Sequence, residues 1–240
     1  MAKEVIVTAG KVKRRKKVSR IVRLALLFLL LFLIIIYIIL KIIYNEGSFT
    51  VTLDSNRELV SGLAIYDTLT NSQPKRKLYA TPIKFMDNIS YKWIPENVNE
   101  EAIGSHNGQN YIAYTFFVEN QGNRVLNYWY EVIIDDVIRN VDEAIRVRIY
   151  RNDEEITYAK LSPFGKSEEG TTPFRVKKKE DKENVIILEQ RKDFNPYEID
   201  RITVVIWIEG DDPECQDNLI DGEIKMHMNI IEEHIEQKED

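Results

Sequence analysis

The sequence predicts an all-β unit, a two-sheet jelly-roll-like sandwich, carried on one amino-terminal transmembrane helix. Three observations lead there. An uncharged run of 17 residues, Leu24 to Leu40, stands near the start of the 240-residue chain. After Gly47 the apolar residues recur with a period of two, the mark of half-buried strands. About seven to ten such runs, separated by turn-forming clusters and without repeated long helices, suit two packed sheets with Greek-key or jelly-roll connections.

The apolar run is LALLFLLLFLIIIYIIL. Crossing a hydrocarbon core of about 30 Å takes about 20 helical residues. Leu24 to Tyr44 meets that when Lys41 extends its amine to the headgroups and Tyr44 sits at the interface. A cleaved signal peptide would have a shorter apolar region, about 7–15 residues, before a small-x-small site. The flank here offers small residues only at Gly47 and Ser48, so a retained helix is expected.

Charge sets the orientation. Ten of the 33 basic residues but one of the 39 acidic ones precede position 45, leaving residues 45–240 at a formal -15 before histidine. Nine of those ten, Arg20 and Arg23 among them, come before Lys41, which keeps the amino end in the cytoplasm and puts the carboxyl-terminal unit outside. The expected organisation is a basic tail (1–23), a membrane helix (24–44), an ectodomain (45–231) and a charged tail (232–240). The basic cluster also suits anionic lipid. So acidic an ectodomain excludes nucleic acid as its partner, because phosphates would repel it.

Along the ectodomain, Phe49, Val51 and Leu53 alternate with Thr50 and Thr52. Tyr111–Val118 is apolar on both faces, as a strand covered on both sides would be. Turn residues 119–123 join it to Val125–Ile134 as a hairpin. Arg146, Arg148 and Arg151 interleave with Val147, Ile149 and Tyr150, which predicts one wet face. Strands follow at 156–161, 185–188 and 202–208. In the last, 224–231, Ile224, Met226, Met228 and Ile230 point inward and Lys225, His227 and Asn229 outward. Residues 73–77 form a basic turn, 97–110 a polar stretch with a short helix, and 162–183 a charged excursion.

The run ITVVIWIEGDDPECQDNLIDGEIKMHMNI from Ile202 resembles the carboxyl-terminal part of the TasA/camelysin family of Gram-positive bacteria. The residues that carry the resemblance are Trp207, Glu209, Gly210, Asp212, Pro213, Cys215 and Gly222; the strands YIAYTFFVENQG and VDEAIRVRIYRN are similar too. The resemblance implies a jelly-roll sandwich, export to the cell surface and assembly into biofilm-matrix fibres. In such fibres one subunit's first strand completes the next subunit's sheet; Ser48, Phe49, Thr50, Val51, Thr52 and Leu53 hold that place here. Family members are commonly released by a signal peptidase, so the retained helix suggests an anchor, a fibre starter or an accessory protein. Partners are then the lipid bilayer and like subunits or other envelope or matrix proteins.

Because camelysin is described as a metallopeptidase, zinc has to be weighed. No His-Glu-x-x-His occurs, and His106, His227 and His234 have no zinc-like spacing. Asp211, Asp212, Glu214 and Asp217 crowd one loop and offer hard oxygens for calcium, which takes six to eight, but without EF-hand spacing. A solvated acidic turn is the plainer expectation, and Asp135-Asp136 is another. Neither a Gly-x-Ser-x-Gly elbow nor a phosphate-cradling glycine loop is present. No catalytic residue and no cofactor is therefore expected, with calcium or zinc the only candidates. Trp207 is expected to pack rather than to serve as a platform. Cys215, the sole cysteine, is either a half-buried small residue or a crosslink between chains.

Overall fold

The computed structural model describes residues 9–44, 49–54, 62–70, 73–174 and 184–233. Ser48, His234 and part of the 162–183 excursion lie outside the described residues. The chain divides into two units, 1–46 and 47–240.

The described residues of the first unit form one helix, α1 (Ala9–Tyr44). Within it Arg20–Ile39, 20 residues, is long and apolar enough to cross a membrane, and none of these side chains is buried by the protein. A continuous sleeve of exposed leucine, isoleucine and phenylalanine has no favourable place in water. Lys41 and Tyr44 lie in the same unbroken helix.

The second unit is an all-β, two-sheet sandwich. Its strands are β1 (Phe49–Asp54), β2 (Leu63–Tyr66), β3 (Lys77–Tyr79), β4 (Gly104–Ser105), β5 (Ile112–Asn120) and β6 (Leu126–Ile138), then β7 (Ile145–Arg151), β8 (Glu154–Ala159), β9 (Thr172–Pro173), β10 (Asn184–Phe194), β11 (Ile199–Ile208) and β12 (Glu223–Glu233). One sheet has the order β10-β6-β12-β1-β3. The other runs β2-β5-β11-β7-β8-β9, with β4 also on β5. The chain changes sheets between β1, β2, β3 and β4 and again at β5–β6, β6–β7, β9–β10, β10–β11 and β11–β12, which is the repeated crossing of a jelly roll. A helical turn, α2 (Val98–Glu101), falls in the polar stretch where one was expected.

The core forms where the inward sets of the two sheets meet. Phe49 and Val51 of β1, Tyr128, Tyr130 and Val132 of β6, and Met226, Met228 and Ile230 of β12 face Tyr114, Phe116, Val147, Ile149, Val204 and Ile206. The predicted phases of β1 and β12 are those observed. β5 is buried along nearly its whole length. Its outer face is covered by residues 80–111, whose Ile89, Ile94 and Val98 pack on Ala113, Tyr150, Val205 and Trp207 as a second small core.

One expectation is corrected on β7. The arginine face of β7 is not wet: Arg146 is 4% exposed and Tyr150 is buried. Asp135 and Asp136 are not in a turn either, since both belong to β6. Between Ile134 and Asp136 the register with β12 shifts by a residue, and the bulged Asp135 accepts a hydrogen bond from His227 Nδ1 at 2.8 Å.

One end of the sandwich, here termed proximal, collects the start of β1. Phe49 pairs with Met226 near the start of β12, and Met226 with Ile134 near the end of β6. The 3-10 turn Val141–Glu143 then leads to Ile145 at the start of β7, which pairs with Ile208 at the end of β11.

Candidate functional site

The loop after β11 is the richest concentration of polar side chains at the proximal end, and residues 87–91 strap it in place. Ile89 N donates to Ile208 O at 2.9 Å and Gly210 N donates to Ile89 O at 2.9 Å. Tyr91 N donates to Glu209 Oε2 at 3.2 Å, and Ser90 Oγ to Asp211 Oδ2 at 2.8 Å. Gly210 packs close to the strap: a Cβ there would stand 3.1 Å from Asn88 Nδ2, so that side chain would have to give way.

Trp207 lies under this strap, buried, with its Nε1 donating to Glu209 Oε2 at 3.0 Å. The Arg148 guanidinium sits 5.1 Å from its ring. A tryptophan so enclosed is a packing residue, in agreement with the sequence. Pro213 is exposed and Cys215 half-buried. Cys215 Sγ accepts from Asn88 Nδ2 at 3.4 Å, and burial is the main force raising its thiol pKa.

The four loop acids part ways. Asp212 is buried and takes the Arg146 guanidinium at 2.5 Å. Its other oxygen accepts from Glu214 N at 2.8 Å. Glu168, from the excursion after β8, stands 3.9 Å from Arg146. Carboxylate oxygens of Glu168, Asp212 and Glu214 lie within 4.8 Å of one another. Asp211 turns away to Ser90, and Asp217 is exposed at the head of the 3-10 turn Asp217–Leu219. Thus two of the four sequence candidates come together, and Glu168, 44 positions before Asp212, joins them.

The chemistry of this trio is ionic packing. Arg146 supplies the cation that the buried Asp212 needs, which makes Asp212 the anchor of the loop. Glu214 is held above the usual carboxylate range, first by the hydrogen bond it shares with Asp212, then by burial and the neighbouring carboxylates. An all-oxygen set lacks the nitrogen or sulfur donors zinc favours. Neither described histidine joins the trio: His106 has both ring nitrogens on Gly104 O (2.9 Å) and Val98 O (3.0 Å), and His227 Nδ1 is bonded to Asp135 on β6. The trio of Glu168, Asp212 and Glu214, among the described residues, therefore does not fit a zinc peptidase centre.

A second polar centre, missed from the sequence, sits toward the far end. Asp200, fully buried, accepts from Tyr128 OH at 2.6 Å, Asn152 Nδ2 at 2.8 Å and Arg191 Nε at 3.2 Å. Its signal was present, since Asp200 is in phase with inward Ile202, Val204 and Ile206. Arg191 also reaches Glu198 at 2.5 Å and lies 5.4 Å from the Phe194 ring. Burial, then the Asp200 carboxylate, pushes the Tyr128 phenol far above its usual range.

The predicted assembly strand, from Phe49 to Leu53, is seated in its own sheet. It runs parallel to β12, with Phe49 beside Met226 and Leu53 beside Ile230, and antiparallel to β3 on its other side.

No family model matches the chain, and no curated protein matches it. Among solved structures it is similar to β-glucosidase from Kluyveromyces marxianus in complex with glucose, at 12% identity and a TM-score of 0.28, over 81% of this chain and 19% of that one. The selenomethionine-labelled form of that enzyme gives 10% identity and a TM-score of 0.24, over 77% and 18%. The chain spans less than a fifth of the enzyme's length. Likeness at this level carries no argument about function.

Proposed function

We propose that this is a membrane-anchored, non-enzymatic surface protein. Its amino end lies in the cytoplasm, α1 crosses the bilayer, and the acidic β unit stands outside. There it acts as a structural module, TasA-like, by strand-edge contacts with like subunits or other envelope or matrix proteins. The basic residues of α1 that precede its apolar stretch, from Lys11 to Arg23, and the acidic ectodomain support the orientation.

The observation that carries the structural role is the seat of β1. A strand that follows the helix within a few residues lies parallel against the last strand, with Phe49, Val51 and Leu53 buried. Nothing in a ladder of that kind requires both strands to come from one chain, so a neighbour's β1 fits the same groove. The strapped Trp207–Cys215 loop, built from the residues that resemble the TasA/camelysin family, adds support.

The test uses Thr52→Cys with Asn229→Cys, two residues that are partners across the ladder, in a chain carrying Cys215→Ser. A short thiol crosslinker applied to expressing cells is expected to give ladders of covalently joined chains. Crosslinks confined within single chains at every surface density would refute strand exchange. Protease added to intact cells should digest residues 45–240; their protection would reverse the orientation.

A further inference from the structure

The most exposed large apolar side chains among the described residues of the β unit gather at the proximal end. Five are at least 60% exposed: Phe85 (88%), Phe164 (88%), Trp93 (72%), Tyr197 (72%) and Ile220 (60%). Four of these belong to the proximal end, and connectivity fixes each. Phe85 follows Ala80, whose N donates to Phe49 O at 3.0 Å, and precedes Asp87, whose N donates to Asn110 Oδ1 ahead of β5 at 3.1 Å. Trp93 ends the 3-10 turn Tyr91–Trp93, which Glu209 holds beside the end of β11. Phe164 lies beyond the end of β8, where Ala159 pairs with Arg146 at the start of β7. Ile220 follows the 3-10 turn just ahead of β12. Only Tyr197 lies at the other end, its N donating to Asn120 O at 2.7 Å.

Raising Phe85, Phe164 and Trp93 into water costs solubility unless something covers them. Each has an exposed lysine close in sequence: Lys84, Lys166 and Lys92 respectively, the last with Nζ 5.7 Å from the Tyr91 ring. Aromatic tips flanked by lysines suit a headgroup layer, in which rings reach the acyl boundary and ammonium groups meet phosphates. The tether is short as well. From Tyr44, the end of α1, to Phe49, the start of β1, five peptide steps reach at most about 18 Å.

The geometry points to docking of this proximal tip on the bilayer that α1 crosses. Phe85, Trp93 and Phe164 enter the headgroup region, and Lys84, Lys92 and Lys166 contact lipid phosphates. This rests on the membrane-anchor reading above. Exposed Asp211, Asp217 and Asp221 at the same end mean that apolar insertion, not bulk charge, drives the contact, so a zwitterionic bilayer is the fitting probe.

The full chain is reconstituted in liposomes of phosphatidylcholine brominated on its acyl chains. Flotation of one portion after an alkaline wash reports whether α1 is inserted, and the rest is kept at neutral pH for the emission measurements. Bromine quenching of tryptophan emission then reports docking, since Trp207 is buried and Trp129 half-buried. The expected result is quenching about twofold greater in the unaltered chain than in Trp93→Phe, with iodide access to Trp93 lower in liposomes than in detergent. A chain that floats yet is quenched equally with and without Trp93 overturns docking and leaves the anchor standing. Unchanged iodide access overturns it too, leaving the tip open to a protein partner. A chain that fails to float removes the anchor, and docking with it.

Discussion

Tyr128 OH of β6 donates to Asp200 Oδ2 of β11 at 2.6 Å, a hydrogen bond that crosses from one sheet to the other inside the sandwich. Tyr128→Phe removes this bond and leaves Asp200 with Asn152 and Arg191. The expected loss is roughly 1–3 kcal/mol, the cost of an acceptor left short of a partner in the interior. Asp200→Ala strands Tyr128, Asn152 and Arg191 together and should cost more, about 3–5 kcal/mol. Urea denaturation followed by tryptophan emission measures both; equal stability for the three proteins would contradict the role given to Asp200.

Alkaline pH should unfold the β unit. Burial is the first cause in raising the phenols of Tyr114, Tyr128, Tyr130 and Tyr158 above the usual tyrosine range, with Tyr130 pushed up to about 12 and the other three well above that range. A phenol whose folded pKa is raised stabilises the fold fully below its unfolded pKa. That contribution is lost as pH climbs from there through the folded value, because only the unfolded chain ionises readily. Stability is therefore expected to fall from about pH 10 upward. Absorbance at the phenolate band should show these tyrosines ionising only together with loss of the fold.

The Arg146–Asp212 pair should tolerate joint replacement better than single replacement. Arg146→Met leaves Asp212 buried beside Glu168 and Glu214 without its cation, at an expected cost of about 3–5 kcal/mol. Adding Asp212→Leu should recover most of that. A double-mutant cycle by thermal unfolding decides it, and simple additivity would mean that the pair is not coupled.

Gly222 has no room for a side chain. A Cβ there would stand 2.8 Å from Leu219 O, 2.9 Å from Val141 Cβ and 3.1 Å from Ile138 O. Gly222→Ala should force the turn before β12 away from the end of β6 and cost roughly 1–3 kcal/mol. The melting temperature reads the effect directly, and Gly104→Ala is a contrast whose strain comes from its φ of 70° with nothing near its Cβ.

Much of the fold was legible because alternation survives wherever strands pack one face on a core. Met226, Met228 and Ile230 declared the inward side of β12, and the two-faced run at Tyr111–Val118 announced a covered strand. What covers it was not legible, since Ile89, Ile94 and Val98 are single apolar residues scattered through a polar stretch. The buried state of Arg146 was not legible either, since its partners Asp212 and Glu168 come from two separate loops. β10 was read too short, at 185–188, because Glu189, Gln190 and Arg191 look like loop. They stay in the ladder by bonding to Tyr158, Glu233 and Asp200. Of the acidic loop, composition gave the place, but only tertiary contact separates Asp212 from Asp211 and Asp217 and brings in Glu168.

β1 and β12 run side by side in the same direction, from Phe49 beside Met226 to Asp54 beside Ile231. Tension applied between the start of β1 and the end of β12 therefore slides one strand along the other. The hydrogen bonds between them resist in concert, whereas a hairpin pulled at its open end gives way bond by bond. A domain held at its first strand and tugged through its last thus meets the load in shear, and should give way in one abrupt, high-force step.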